Sequence, residues 1–250
     1  MNKSYLERVQ EIVTINKPHL KASDEIWNIL DTTKAIIFDG HFELLSKRHS
    51  DKFFRFAAIT QYPYFVSKIS QEMVAWIRNN NTEKIDVTLS PASQGMFFAY
   101  DLARELNGTM KTRAVYAAID KDTGYPKEGF VEGFEIRRGE RVLVVNDMTT
   151  TGHGLQTLIN LVEKSYAKVV GVCLFGDRGV GEDNIKEIKR AYSFHSIVDL
   201  NMPSWPAEDC RIRCLSNKRL IKAVELHHLP IYSEENAYEL YVEKLEEAKV

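Results

Sequence analysis

The apolar run Val142-Leu-Val-Val145 passes directly into Asn146-Asp147-Met148 and then into Thr149-Thr-Thr-Gly-His-Gly154. An apolar run without polar alternation needs cover on both faces, which is the condition of a strand inside a parallel sheet. The stretch that follows, Leu155-Gln-Thr-Leu-Ile159, has apolar residues at helical spacing, so the Thr/Gly segment must turn a buried strand into a helix start. Such a junction has a chemistry of its own. The first N–H groups of a helix lack intrahelical partners, the helix dipole is positive there, and glycines let the main chain close around an anion. Threonine hydroxyls add donors for phosphate oxygens. Asp147, at the strand end, can accept from sugar hydroxyls or stand beside a magnesium ion. Phosphate joined to a polyol is the ligand class this pattern suits, although threonines and glycines at a strand-to-helix turn can also serve capping alone.

The rest of the chain repeats the same grammar. Ile85-Asp-Val-Thr-Leu89 reads as a strand, followed by the small-residue turn Ser90-Pro-Ala-Ser-Gln-Gly95 and a helix over about 96–107. Thr112 to Ala118 and Arg141 to Val145 read as strands, with Gly129 to Ile136 as a further pair of extended runs. A helix over about 153–166, a strand Lys168 to Phe175, a helix over about 181–191 and a strand near 194–199 complete the series. Alternation of this kind predicts an α/β fold, doubly wound around a mostly parallel central sheet, with ligands at the carboxyl ends of the strands. Ahead of it, residues about 4–15 and 22–34 read as helices. Gly40 to Ser46 and Phe53 to Phe56 read as the two strands of a hood-like hairpin joined by Lys47 to Lys52, and 63–79 as a further helix. After it come Pro203, Pro206 and Pro230 and an acidic helix over about 234–248. The expected organisation is therefore N-terminal helices and hood over 1–60, a core over 61–200 and a C-terminal helical extension over 201–250.

Composition narrows the partners. A net charge of -2 and a pI of about 6.4 provide no global attraction for nucleic acid or an anionic membrane, so a bound polyanion should be small. The longest apolar runs, such as Val169 to Phe175, are too short to cross a bilayer. Charge near the N-terminus, where a signal peptide is apolar, suggests a cytoplasmic protein, and three cysteines fit a reducing compartment. Cys210-Arg-Ile-Arg-Cys214 and His227-His228 raise the question of zinc, but their spacing suits a structural site poorly and free thiols are the plainer reading. There is no Walker-type lysine loop, nucleophile elbow or dinucleotide fingerprint.

The Val142 to Gly154 segment resembles the phosphoribosyl pyrophosphate motif of type I phosphoribosyltransferases: a hydrophobic strand, an acidic pair and a Thr-Thr-Gly-type loop. Other stretches resemble the orotate members of that family in order along the chain. They are Gly40-His-Phe-Glu-Leu-Leu-Ser-Lys-Arg-His-Ser-Asp-Lys-Phe-Phe54, Ser90 to Gly95, Gly133 to Val142, Gly176-Asp-Arg-Gly179, and Asp199 to Cys210. The resemblance implies that Thr150, Thr151, Gly152, His153 and Gly154 cradle the 5-phosphate and that Asn146 and Asp147 hold the ribose. Ala92, Ser93, Gln94 and Gly95 would take the pyrophosphate, and Ser46, Phe53, Phe54 and Arg178 the base. Asp147 and Lys121 would carry catalytic roles, Asp147 also beside Mg2+, in a homodimer. An arginine fork suits a planar carboxylate such as that of orotate, whereas Arg178 could also be a surface charge. Paired rings such as Phe53-Phe54 can stack on a base, though they more often pack in a core.

The chain also departs from the family pattern. The first acidic position is Asn146, which keeps hydrogen-bonding capacity but no charge. Lys47 stands where glycine is usual, and Ala117 to Lys127 carries only Lys121 and Lys127 as basic residues, in a loop that in the family neutralises pyrophosphate. The expected activity is transfer of ribose 5-phosphate from phosphoribosyl pyrophosphate to a nitrogen of a planar base, with orotate first. Two alternatives remain: a different acceptor, or a regulatory protein that binds the donor or a nucleotide with weakened turnover.

Overall fold

A computed structural model of the chain describes residues 3–16, 22–80, 83–107, 111–120, 123–179, 183–210 and 217–248. The chain divides into two compact units, one made of 1–13, 26–61 and 201–250 and the other of 14–25 and 62–200.

The second unit contains the sheet. Its strands are β1 (Val13–Ile15), β6 (Val87–Pro91), β7 (Arg113–Ile119), β8 (Pro126–Phe130), β9 (Arg141–Thr149), β10 (Lys168–Asp177) and β11 (Phe194–Leu200), in the spatial order β1-β11-β10-β9-β6-β7-β8. The pairs β6–β7, β6–β9, β9–β10 and β10–β11 are parallel, while β8 lies antiparallel on the β7 edge. This is the α/β, doubly wound, mostly parallel arrangement expected. The order runs outward from β6 to β7 in one direction and from β9 through β11 in the other, so the winding reverses between β6 and β9. At the amino ends of those two strands, the Asp86 carboxylate accepts from Arg141 Nε at 2.9 Å and Nη2 at 3.2 Å. The core between sheet and helices is aliphatic: Val87, Leu89, Val142 and Val144 from the strands meet Leu155, Leu158, Ile159 and Val162 from helix α6 (His153–Lys164).

Several boundaries differ from the sequence reading for identifiable reasons. The first helix, α1 (Tyr5–Ile12), opens with a capping box between Ser4 and Glu7 and stops early, because the β-branched run Val13-Thr-Ile15 goes extended as strand β1. The strand read as ending at Val145 continues to Thr149, because Asn146, Met148 and Thr149 keep their parallel pairing with Leu174, Gly176 and Asp177. Of the runs read over Gly129 to Ile136, only Pro126–Phe130 forms a strand.

In the first unit, Phe42–Glu43 (β3) pairs antiparallel with His49–Ser50 (β4) and parallel with Ile221–Lys222 (β12). Phe53–Phe54 (β5) pairs instead with Ile36–Ile37 (β2). The expected hairpin is thus shorter, with its return strand inside the stretch read as connector. Lys47 makes the tight turn possible by adopting φ +62. A small core of Phe42, Ile221, Leu226, Ala237, Tyr238 and Tyr241 joins this sheet to the C-terminal helix Ala237–Glu247. No helix among the described residues is long and apolar enough to cross a membrane.

Candidate active site

The winding reverses between β6 and β9, and the carboxyl ends of strands at such a switch point are where open α/β sheets bind ligands. Two loops follow these strands. One is Ala92-Ser-Gln94, which leads from β6 into helix α5 (Gly95–Leu106). The other is Thr150-Thr-Gly152, which leads from β9 into α6. The residues expected to take pyrophosphate and those expected to take ribose and 5-phosphate therefore stand at the same switch point.

The α6 junction has the features an anion needs. Gly152 is the N-cap in the left-handed region, φ +79, and the first turn of α6 carries no acidic residue to offset the positive end of the helix dipole. A side chain at Gly152 would strike Ile185 Cδ1 at 2.9 Å. Gly154 faces Pro126, and the Tyr125 ring meets the His153 ring edge-on at 5.6 Å, so the β7–β8 hairpin packs on the cradle. In that hairpin Lys127 is paired with Asp120 at 3.3 Å. Lys121 lies outside the described residues.

At the strand end, Asn146 donates its Nδ2 to the Met148 carbonyl at 3.1 Å, and its buried Oδ1 has no hydrogen-bond partner among the described residues. Asp147 accepts from the Met148 N–H at 2.8 Å. Burial pushes the Asp147 carboxyl up to about 6, against the opposing pull of the Met148 and Asp147 main-chain N–H groups. A cation beside this carboxylate would offset the cost of its desolvation. A Cβ on Gly95 would come within 2.7 Å of both Asn146 Oδ1 and Ser90 Oγ, so only glycine lets α5 start this close to β9.

Gly176 to Gly179 ends β10 beside the Thr150–Gly152 loop. The Arg178 N–H donates to the Thr149 carbonyl at 2.9 Å, and a Cβ on Gly179 would coincide with the Thr150 carbonyl. Asp177 is fully buried, accepts from the Gly179 N–H at 2.8 Å and sits 2.6 Å from Lys189 Nζ. Arg178 is buried, not a surface charge. In the first unit, Phe54 is buried and stacked on Phe56 with ring centroids 4.3 Å apart, whereas half-buried Phe53 packs on Phe42. Ser46 lies in the turn between β3 and β4.

A family model described as the phosphoribosyl transferase domain matches residues 58–205, a span that holds both loops and every strand from β6 to β11. The orotate phosphoribosyltransferase of Thermoanaerobacter sp. is 34% identical over 188 residues, covering 75% of this chain and 90% of that one. The chain belongs to the phosphoribosyltransferase family. The fold agrees with solved members: Aeropyrum pernix orotate phosphoribosyltransferase aligns at a TM-score of 0.51 and 20% identity, covering 68% of this chain and 91% of that one. Leishmania donovani UMP synthase aligns at 0.58 and 20% identity over 73% of this chain, which spans only 37% of that longer protein.

Within this phosphoribosyltransferase, sequence reasoning gives no role of their own to the residues that support the loops. Ser90, Asp177 and Gly179 lie inside stretches that carry the family resemblance, and Ile185 lies outside them, yet all four pack on the loop residues. One signal was available for Gly179: an Asp-Arg-Gly step at a strand end implies a close main-chain neighbour.

Proposed function

We propose that this phosphoribosyltransferase moves the ribose 5-phosphate group of phosphoribosyl pyrophosphate onto a ring nitrogen of orotate. The observation that carries the reading is that the Ala92–Gly95 turn and the Gly152–Gly154 helix start follow β6 and β9, the two strands between which the winding reverses, with Asp147 near the carboxyl end of β9. The orotate phosphoribosyltransferase name of a 34% identical relative supports the acceptor.

The residues divide the work. The α6 start would bind the 5-phosphate with main-chain N–H groups and the hydroxyls of Thr150 and Thr151. Asp147 would accept from the ribose hydroxyls, orienting the anomeric carbon as positive charge develops there. The Ala92–Gly95 turn would stabilise the departing pyrophosphate, and Arg178 would favour a carboxylate-bearing base. Such a site accelerates reaction by positioning and electrostatics, without a covalent enzyme intermediate. Asp147 fits Mg2+, since desolvation disfavours its bare negative charge and main-chain N–H groups offset this only in part, while the remaining ligands of such ions are commonly substrate oxygens and water. Bound there, Mg2+ would neutralise the donor's oxygens. Lys121 would add charge to the leaving group, and Ser46 and Phe53 would contact the base. The working form is proposed to be a homodimer in the cytoplasm, and sedimentation as a monomer would count against the dimer.

Asn146 favours one second reading, a donor-binding regulator with weak turnover, because its amide is engaged with Met148 and it brings no charge. Pyrophosphate release from phosphoribosyl pyrophosphate, Mg2+ and orotate tests the first reading. Release only with another base transfers the proposal to that acceptor. Donor binding by calorimetry with no release from any pyrimidine or purine base, and turnover appearing in Asn146→Asp, would establish the second.

A further inference from the structure

A cluster of three side chains given no role above has metal-site chemistry. His41, His49 and Cys210 are all buried, and one ligand atom from each lies within 4.8 Å of the others. All three belong to the first unit. Its members come from three places: His41 immediately precedes β3, His49 opens β4, and Cys210 follows a helical turn at Ala207–Asp209. Two main-chain bonds between His49 and Trp205, at 2.8 and 3.0 Å, hold the cysteine-bearing segment against β4. The Ser50 hydroxyl adds a third tie to the Pro203 carbonyl.

The tautomer of His41 decides what the cluster can do. Its Nδ1 lies 3.0 Å from the Lys218 carbonyl, which can only accept, so Nδ1 carries the proton. Neutral His41 then presents an unprotonated Nε2, and this one lone pair faces both Cys210 Sγ at 2.9 Å and His49 Nδ1 at 3.1 Å. A single lone pair cannot serve two donors well. A cation facing three electron-pair donors resolves the conflict, and a ligating histidine whose other N–H is fixed by a main-chain carbonyl is the usual outer-shell arrangement.

We propose that His41 Nε2, His49 Nδ1 and Cys210 Sγ bind one zinc-class divalent cation. Two imidazoles and a thiolate form a borderline-soft donor set that suits Zn2+ and its spectroscopic substitute Co2+, leaving a fourth position for water or a further side chain. On binding, the sulfur–metal bond forms as the thiol proton passes to solvent. The ion would pin the β3–β4 hairpin to the segment ending at Cys210, joining chain regions far apart in sequence. The cluster shares no residue with the set proposed above for the donor, the base and Mg2+.

The test uses full-length protein stripped with chelator and titrated with Co2+. The expected result is saturation at one equivalent with a near-ultraviolet thiolate-to-cobalt band that Zn2+ abolishes. Cys210→Ser should lose the band, and His49→Gln should bind at least about 100-fold more weakly, at the upper end of what outer-shell changes alone cost. Alkylation with and without Zn2+, followed by peptide mapping, reads the same assignment without a variant: Zn2+ should protect Cys210. No band in the unmodified protein, an undiminished band in Cys210→Ser, or equal alkylation of Cys210 with and without Zn2+ would overturn the proposal.

Discussion

Gly95 and Asn146 meet so closely that a methyl group on Gly95 would lie 2.7 Å from the Asn146 Oδ1 and 3.1 Å from its Cα. The first residue of α5 and the end of β9 are therefore one mechanical unit. The turn expected to receive pyrophosphate cannot shift without moving the residues expected to hold ribose.

Gly95→Ala should accordingly disturb both functions. The side-chain part of the clash can rotate away, but the contact with the Asn146 Cα cannot, so the substitution should cost about 1–3 kcal/mol of stability and weaken donor binding. An Asn146→Ala background removes the Oδ1 contact and leaves that with Ser90 Oγ. Denaturant midpoints for the two single variants and the double variant should show that Gly95→Ala costs less there, and strict additivity would refute the coupling.

Asp147 lowers the stability of the ligand-free fold at neutral pH. Its folded carboxyl titrates at about 6, above the ordinary 3.8, so the folded state holds the proton more tightly than the unfolded chain. Its contribution is neutral below about pH 4, becomes unfavourable between 4 and 6, and stays so above. At about 1.4 kcal/mol per tenfold change in proton affinity, with a discount for partial solvent access, Asp147→Asn should stabilise the ligand-free protein by about 2 kcal/mol at pH 7.5. The gain should vanish near pH 4. Thermal melts across that range, with donor binding measured alongside, would show stability rising while binding falls.

The opposite sign applies at the other end of the same strands. The Arg141 guanidinium holds the Asp86 carboxyl well below the usual carboxylate range, opposed by desolvation and helped by the Arg141 main-chain N–H and Lys84. A depressed folded value stabilises the protein above about pH 4, and the stabilisation is lost as pH falls below that. Asp86→Asn should cost about 1–2 kcal/mol at pH 7, discounted because Arg141 is partly in solvent, and should flatten the acid limb of the stability curve. Donor affinity should stay unchanged, because the pair lies at the amino ends of β6 and β9. A loss of affinity would contradict that separation.

How much of this was readable from the chain depends on how far each feature depends on distant neighbours. The Val142–Val145 strand, the α6 start and the α5 start follow from local apolar period and turn chemistry, and all three stand where they were read. The extension of β9 through Asn146 to Thr149 was not legible, because those polar residues hold strand geometry only by pairing with β10. The return strand His49–Ser50 was hidden for a similar reason: neither histidine nor serine favours a strand by itself, and the pair is held extended by its partners Phe42 and Trp205, one local and one distant. The pairing of Cys210 with His41 and His49, in place of the His227-His228 considered from spacing, likewise depends on tertiary contact; Cys214 lies outside the described residues.

Lys47 offers a last test, because the turn that carries Ser46 depends on it. Its φ of +62 is a left-handed conformation that a Cβ makes costly, and its exposed ammonium group reaches only Glu43, at 3.2 Å. A left-handed non-glycine residue costs about 1–2 kcal/mol, while glycine loses about 0.5–1 kcal/mol more on ordering, so the two effects nearly offset with a small margin in favour of glycine. The exposed ion pair adds little. Lys47→Gly should therefore leave stability unchanged or raise it by up to about 1 kcal/mol, whereas glycine at an ordinary strand position destabilises. A second variant, Lys47→Val, should fall clearly below both, since a β-branched residue tolerates this region worst. Urea midpoints for the three proteins decide it: a glycine variant less stable than the lysine one would mean that the Glu43 contact, not the backbone, sets the preference at this turn.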